Sequence, residues 1–149
     1  MRILLVSFFF PPYNTPGSVR TGKMAKHLIA AGHEVRVLCA DKPTLFGEVL
    51  PENLPLEIPE ENVKRTPWFN VSVIPRKLAR LVRGNSSARG SSASVGENGK
   101  ATFKSLFYWP DERMGWYRNA LKEGTRLVDS WQPEIIYASG LPATVLLVG

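Results

Sequence analysis

The sequence predicts an α/β fold, a Rossmann-like parallel sheet flanked by helices with strand order 3-2-1-4. Three observations carry that expectation. Arg2-Ile3-Leu4-Leu5-Val6-Ser7 is a continuous apolar run of strand length, the pattern of a strand buried on both faces. A helical stretch comes next, and then a second apolar run from His33 to Ala40. Strand, helix and strand within about forty residues form a right-handed βαβ unit whose strands are parallel.

After the first strand, Pro11, Pro12, Pro16 and Gly17 punctuate a loop. Ser18 reads as the N-cap of a helix through Ala31, with Val19, Gly22, Ala25, Leu28 and Ile29 on one face and Gly32 as its stop. Residues 41–62 are rich in Pro and Glu and read as a loop with little regular structure. Val63 to Trp68 forms a third, shorter strand, and Pro67 places it at an edge or ends it. A short helix is expected over 75–82. Residues 84–100 (GNSSARGSSASVGENGK) have the composition of a flexible loop. Order resumes at Phe103, and a long helix fits from about Asp111 to Trp131. Its apolar positions are Trp116, Ala120, Leu121, Gly124, Leu127, Val128 and Trp131, and Pro133 ends it. Glu134 to Ser139 is the fourth strand, after which Pro142 opens a last helix that stops at Gly149. A bare apolar helix after a strand, in a sheet short of the usual doubly wound set, leads to the expectation of a fragment.

With 149 residues, 44% of them hydrophobic, the chain suffices for one domain with a core and not for two. No apolar run approaches the roughly 20 residues that span a bilayer, which argues against an integral membrane protein. The apolar stretch from Ile3 to Phe10 runs into Pro11-Pro12 with no small-residue cleavage pattern, so it reads as a strand and not a signal peptide. Cys39 is the only cysteine and sits in an apolar strand, which suits a reducing cytosol and a packing role. The net charge of +6 is local. Between Lys64 and Lys104 nine basic residues face Glu97 alone, while the remainder is slightly acidic.

In an open parallel sheet, ligands bind beyond the carboxyl ends of the strands, where the strand order reverses. Two loops qualify, Phe10–Ser18 and Ser139–Leu141, and the candidate cleft residues are Asn14, Gly17, Ser18, Arg20, Ser139 and Gly140. The first loop lacks the three glycines of a dinucleotide fingerprint, so an NAD or FAD enzyme is not expected. Gly17 is placed just before a helix N-terminus, where free N–H groups favour an anion; Ser18 adds a hydroxyl and Arg20 a cation. The competing reading is an ordinary cap beside a solvated arginine. His27 and His33 lie away from the cleft, so neither a zinc site nor a Ser-His-Asp arrangement is expected. Arg76, Lys77, Arg80 and Arg83 surround an apolar stripe that can rest on anionic lipid, although a solvated surface helix is the preferred reading. The segment interleaves no aromatic residues with its charges, which argues against nucleic acid.

The opening MRILLVSFFFPPYNTPGSVRTGKMAKHLIAAGHEVRVLCAD resembles the start of glycosyltransferase family 4 enzymes, with their first strand, "PP" glycine loop and helix ending in "GHEV". YWPDERMGWYRNALKEG and PEIIYASGLPATVLLVG resemble two later segments of the same family, in the same order. The resemblance implies the N-terminal, acceptor-side domain of a GT-B enzyme, which moves a sugar from a nucleotide-sugar donor to a polysaccharide or glycolipid acceptor. Retention, no metal and no cofactor beyond the nucleotide-sugar substrate are also implied. The family's glycine loop approaches the donor phosphates, which maps onto Gly17; many members have two adjacent glycines where this chain has Pro16-Gly17-Ser18. No catalytic residue can be carried over, because the nucleotide-sugar domain is missing, and the fragment alone is expected to be inactive. The expected location is the cytoplasm, with peripheral contact to the inner membrane face. The alternatives are a non-catalytic module that binds membrane or a partner, and a fragment of a GT-B sugar-nucleotide epimerase.

Overall fold

The computed structural model describes residues 1–45, 48–70, 111 and 113–149. The expected helix over 75–82 and the flexible segment 84–100 lie outside the described residues. Strand β1 (Arg2–Val6), helix α1 (Pro16–Ala30) and strand β2 (Glu34–Ala40) open the chain. Two-residue strands β3 (Thr44–Leu45) and β4 (Glu48–Val49), a 3-10 turn (Glu60–Asn62) and strand β5 (Val63–Thr66) follow. Helix α2 (Met114–Trp131), strand β6 (Ile135–Ala138) and helix α3 (Thr144–Val148) complete the described elements.

Four strands form one sheet in the order β5-β2-β1-β6, and every pairing in it is parallel. The numbering departs from the expected 3-2-1-4 because β3 and β4 intervene in the chain and pair only with each other, antiparallel, in a separate sheet. Residues 41–62 therefore hold more regular structure than their composition signals. The architecture is Rossmann-like, and its βαβ start is parallel because α1 returns the chain to the same end of the sheet.

Alternation along β1 and β2 divides the core between two faces. Ile3, Leu5, Val35 and Val37 pack with Phe10, Ala25 and Ile58 on the α1 face. Leu4, Val6 and Leu38 pack with Phe8, Trp116, Ala120 and Val145 on the opposite face, under α2 and α3. A strand covered on both sides must be apolar at every position, which is why β1 shows no polar alternation.

Helix α1 starts earlier than the sequence places it. Its N-cap is Thr15, whose Oγ1 accepts from the Ser18 amide at 3.1 Å, and Pro16 occupies the first turn. The stop is as read from Gly32, which has φ +83 and donates to Ile29 O. The buried face is Ser18, Thr21, Gly22 and Ala25, whereas Val19 is exposed. Small residues are required here because the loop after β1 presses on the helix. A Cβ on Gly22 would stand 2.7 Å from Pro11 Cγ, and Thr21 Oγ1 donates to Phe9 O at 3.1 Å.

Helix α2 starts later than expected, at Met114, and ends on Gln132 in the left-handed region. It is pinned to the β5 edge by a buried relay. Trp116 Nε1 donates to Thr66 Oγ1 at 2.7 Å, and Thr66 Oγ1 donates to Cys39 O at 3.1 Å. Strand β5 stops at Thr66 on the outer edge, directly before Pro67. At the other edge β6 pairs only with β1, and its Ile135, Ile136 and Tyr137 remain about 42% exposed. No helix among the described residues is long and apolar enough to cross a membrane.

On the α1 face, Lys23 and Lys26 both engage Glu57 at 2.6 Å and fasten the segment that carries Leu56 and Ile58 into the core. The two ammonium groups lower the Glu57 carboxyl from its ordinary 4.5 to about 2. Folding therefore favours the carboxylate, so this contribution is complete above pH 4.5 and fades as pH falls towards 2. The lysines are about half exposed, so solvent and salt screen the pair. Urea titrations of Glu57→Gln and the parent should converge at low pH and in high salt. Trp116→Phe is expected to lower the unfolding free energy by about 1–3 kcal/mol, because the Thr66 hydroxyl loses a buried donor. An unchanged urea midpoint would show that the relay contributes nothing.

Candidate functional site

The chain leaves β1 towards β2 on one side, while β6 lies on the other, so the strand order reverses at β1. The loops beyond the carboxyl ends of β1 and β6 therefore border one crevice. Backbone bonds set their starting positions. Ser139 N donates to Val6 O at 2.8 Å, and Ser7 N donates to Leu38 O at 3.0 Å.

The first loop is held from three sides. Arg65 Nη2 donates to Pro11 O at 2.8 Å, Asn14 N donates to Pro51 O and Leu54 N to Pro12 O, both at 3.0 Å. With the Thr21 bond to Phe9 O, this fixes the path from Phe8 to Thr15. The second loop is short and turns at Gly140, whose φ of +66 disfavours any residue with a side chain.

Arg20 joins the two loops. Its Nη2 donates to Ser139 Oγ at 3.1 Å across 119 residues of sequence. Ser139 is buried, while Arg20 and Gly140 are exposed at the rim. A Cβ on Gly140 would stand 2.5 Å from Arg20 Nη2, so the guanidinium occupies the space that glycine leaves.

The other sequence candidates are placed differently from one another. Gly17 is half-buried inside the first turn of α1, not before it. A Cβ there would meet Phe9 Cβ and Thr15 Oγ1 at 3.7 Å and Phe9 Cδ2 at 3.8 Å, ordinary contacts, so the fold itself does not demand glycine. Ser18 is fully buried, and its hydroxyl is 2.9 Å from Thr15 Oγ1. That hydroxyl is engaged within the helix cap. Asn14 is exposed. Arg76, Lys77, Arg80 and Arg83 lie outside the described residues.

Two contributors were not singled out from sequence. Asp111 lies before α2, and its carboxylate accepts from Thr144 Oγ1 at 2.7 Å, Thr144 N at 2.8 Å and Arg113 N at 2.8 Å. It caps the start of α3 and ties that helix to the entry of α2. Arg113 brings a second guanidinium to the first loop, 5.5 Å from the Phe8 ring centroid and 5.6 Å from that of Phe9. An Asp preceding a helix is a recognisable cap signal, but its partner 33 residues away is not.

Comparison with protein-family models, with curated proteins and with solved structures finds no match. The site's chemistry rests on its geometry alone. Among the described residues no group of three or more His, Cys, Asp or Glu side chains could hold a metal ion. His27 lies in the last turn of α1 and His33 immediately before β2, at the opposite end of the strands from the crevice. Cys39 is fully buried, and desolvation pushes its thiol up to about 12, which disfavours the thiolate. An apolar hollow bounded by Leu4, Leu38, Leu121, Gly124 and Ile136 lies under α2, away from these loops.

The described residues thus bring the loops after β1 and β6 together through the Arg20–Ser139 hydrogen bond, with an exposed guanidinium at their junction. Gly140→Ala is expected to cost about 1–2 kcal/mol of stability through the left-handed backbone, measured by urea denaturation. The same substitution should dislodge Arg20, read as a side-chain Nε–Hε shift by NMR. A variant of parental stability with Arg20 undisturbed would contradict this geometry.

Proposed function

We propose that this chain is the acceptor-side, N-terminal Rossmann-like half of a two-domain glycosyltransferase of the GT-B architecture. The parent enzyme transfers a sugar from a nucleotide-sugar donor to a polysaccharide or glycolipid acceptor. The observation that carries the reading is the convergence of the three resembling segments on one crevice. The PPYNTPG loop supplies Gly17 and leads to Arg20. The PDERMGW segment supplies Asp111 and Arg113, and the ASGLP turn supplies Ser139 and Gly140. Segments separated by up to 119 residues meet through the Arg20–Ser139 and Asp111–Thr144 contacts.

In this role the chain binds and orients. The first turn of α1 directs its partial positive charge towards the crevice, where donor phosphate charge is stabilised. Gly17 lets a ligand approach the backbone closely, which accounts for a glycine that the fold does not itself require. A facing nucleotide-binding domain closes the crevice, excludes water and aligns the acceptor oxygen with the anomeric carbon. No residue of this chain is assigned to bond making or breaking, so these 149 residues alone should transfer no sugar.

Turnover of any nucleotide sugar by the isolated chain would contradict the reading. Its positive test is a titration of the ¹⁵N-labelled chain with UDP and UDP-glucose, expected to shift the Gly17, Ser139 and Gly140 amides and leave the β5 edge unchanged. Gly17→Ala should keep or raise the melting temperature, since alanine is the better helix former by about 1 kcal/mol at most, yet lose the response. Shifts confined to other surfaces would overturn the proposal.

A further inference from the structure

We infer that Arg20 is a specificity residue that reads an oxyanion, carboxylate or phosphate, on the molecule held in the crevice. The inference rests on the crevice reading given above for the ligand's location, and not on sugar transfer itself.

Arg20 is the α1 cation whose charge the described fold leaves unmatched. Lys23 and Lys26, on the same helix, both engage Glu57. Among the described residues Arg20 has no carboxylate partner, and its one hydrogen bond goes to the neutral Ser139 hydroxyl. A guanidinium carries five N–H donors in a fixed planar fork, so most of its donor capacity stays open. The first turn of α1 holds no acidic residue that could compete for it.

The fork is also held in place. Ser139 is only 3% exposed and therefore acts as a rigid post for Nη2. An added Cβ on Gly140 would lie 2.5 Å from Nη2, 3.4 Å from Cζ and 3.6 Å from Nη1, so the group lies against the Gly140 backbone. A long exposed arginine would ordinarily lose much rotamer freedom on binding. Here part of that loss precedes the ligand, which favours planar, two-point recognition of a carboxylate or phosphate.

The test titrates the ¹⁵N-labelled chain with inorganic phosphate, with UDP, and with glucuronate against glucose, a pair that differs by one carboxylate. Phosphate and glucuronate should shift the Gly17, Ser139 and Gly140 amides, and glucose should not. Arg20→Gln should weaken the anion response by roughly tenfold or more, because a charged hydrogen bond is lost. Arg20→Lys should retain part of it, keeping the charge without the fork. Arg20 is exposed, so both variants should melt with the parent. A loss confined to UDP puts the oxyanion on the donor, and a loss confined to glucuronate puts it on the acceptor; either supports the inference. Equal shifts from glucose, or anion affinities unchanged in Arg20→Gln, overturn it. UDP binding that survives unchanged in Arg20→Gln, with no response to phosphate or glucuronate, overturns the inference and leaves the crevice reading standing. Silence from every probe removes both.

Discussion

The parallel pairing of β1 with neighbours on both sides is the constraint on which the rest depends. Registers Leu5↔Val37 and Leu5↔Tyr137 place β1 at the centre of the sheet, so its side chains must satisfy two apolar layers at once. The same pairing brings the carboxyl end of β1 beside that of β6. Burial of the strand and location of the crevice are thus one fact seen from two directions. The loop from Ser7 to Thr15 inherits its origin from β1 and its rigidity from contacts that arrive later in the chain, above all Arg65 on Pro11 O.

How much of this was legible in the sequence follows from the range of each interaction. The runs Ile3–Val6 and Val35–Ala40 announce buried strands because burial on two faces acts residue by residue. Gly32 announces a helix stop because a left-handed conformation is a local demand. The start of α1 was misread by its hydroxyls. Thr15 and Ser18 are both plausible caps by composition, and only the path of the loop decides that Thr15 accepts from Ser18. The hairpin β3–β4 escaped for a related reason, since two-residue strands in a Pro- and Glu-rich stretch carry no periodicity.

The crevice was half legible. Its position follows from topology, and Gly17, Arg20, Ser139 and Gly140 follow from being near strand ends. Their relationship does not, because a hydrogen bond spanning 119 residues has no local signature. Asp111 shows the limit most clearly. Its type and place before α2 suggest a helix cap, yet two of its three bonds serve α3 instead. Sequence patterns reveal what a residue can offer, and the fold decides which end of which helix receives it.

Helix α3 lies on the same face of the sheet as α2, with Val145 and Trp116 in one apolar cluster. Right-handed connections on that face all travel one way, from β5 across to β6 and outward from there. Any strand added through α3 would therefore extend the sheet on the side of β6 remote from β1. A sheet that grew this way would leave the β1–β6 pairing, and the Arg20–Ser139 contact at its carboxyl end, where they are.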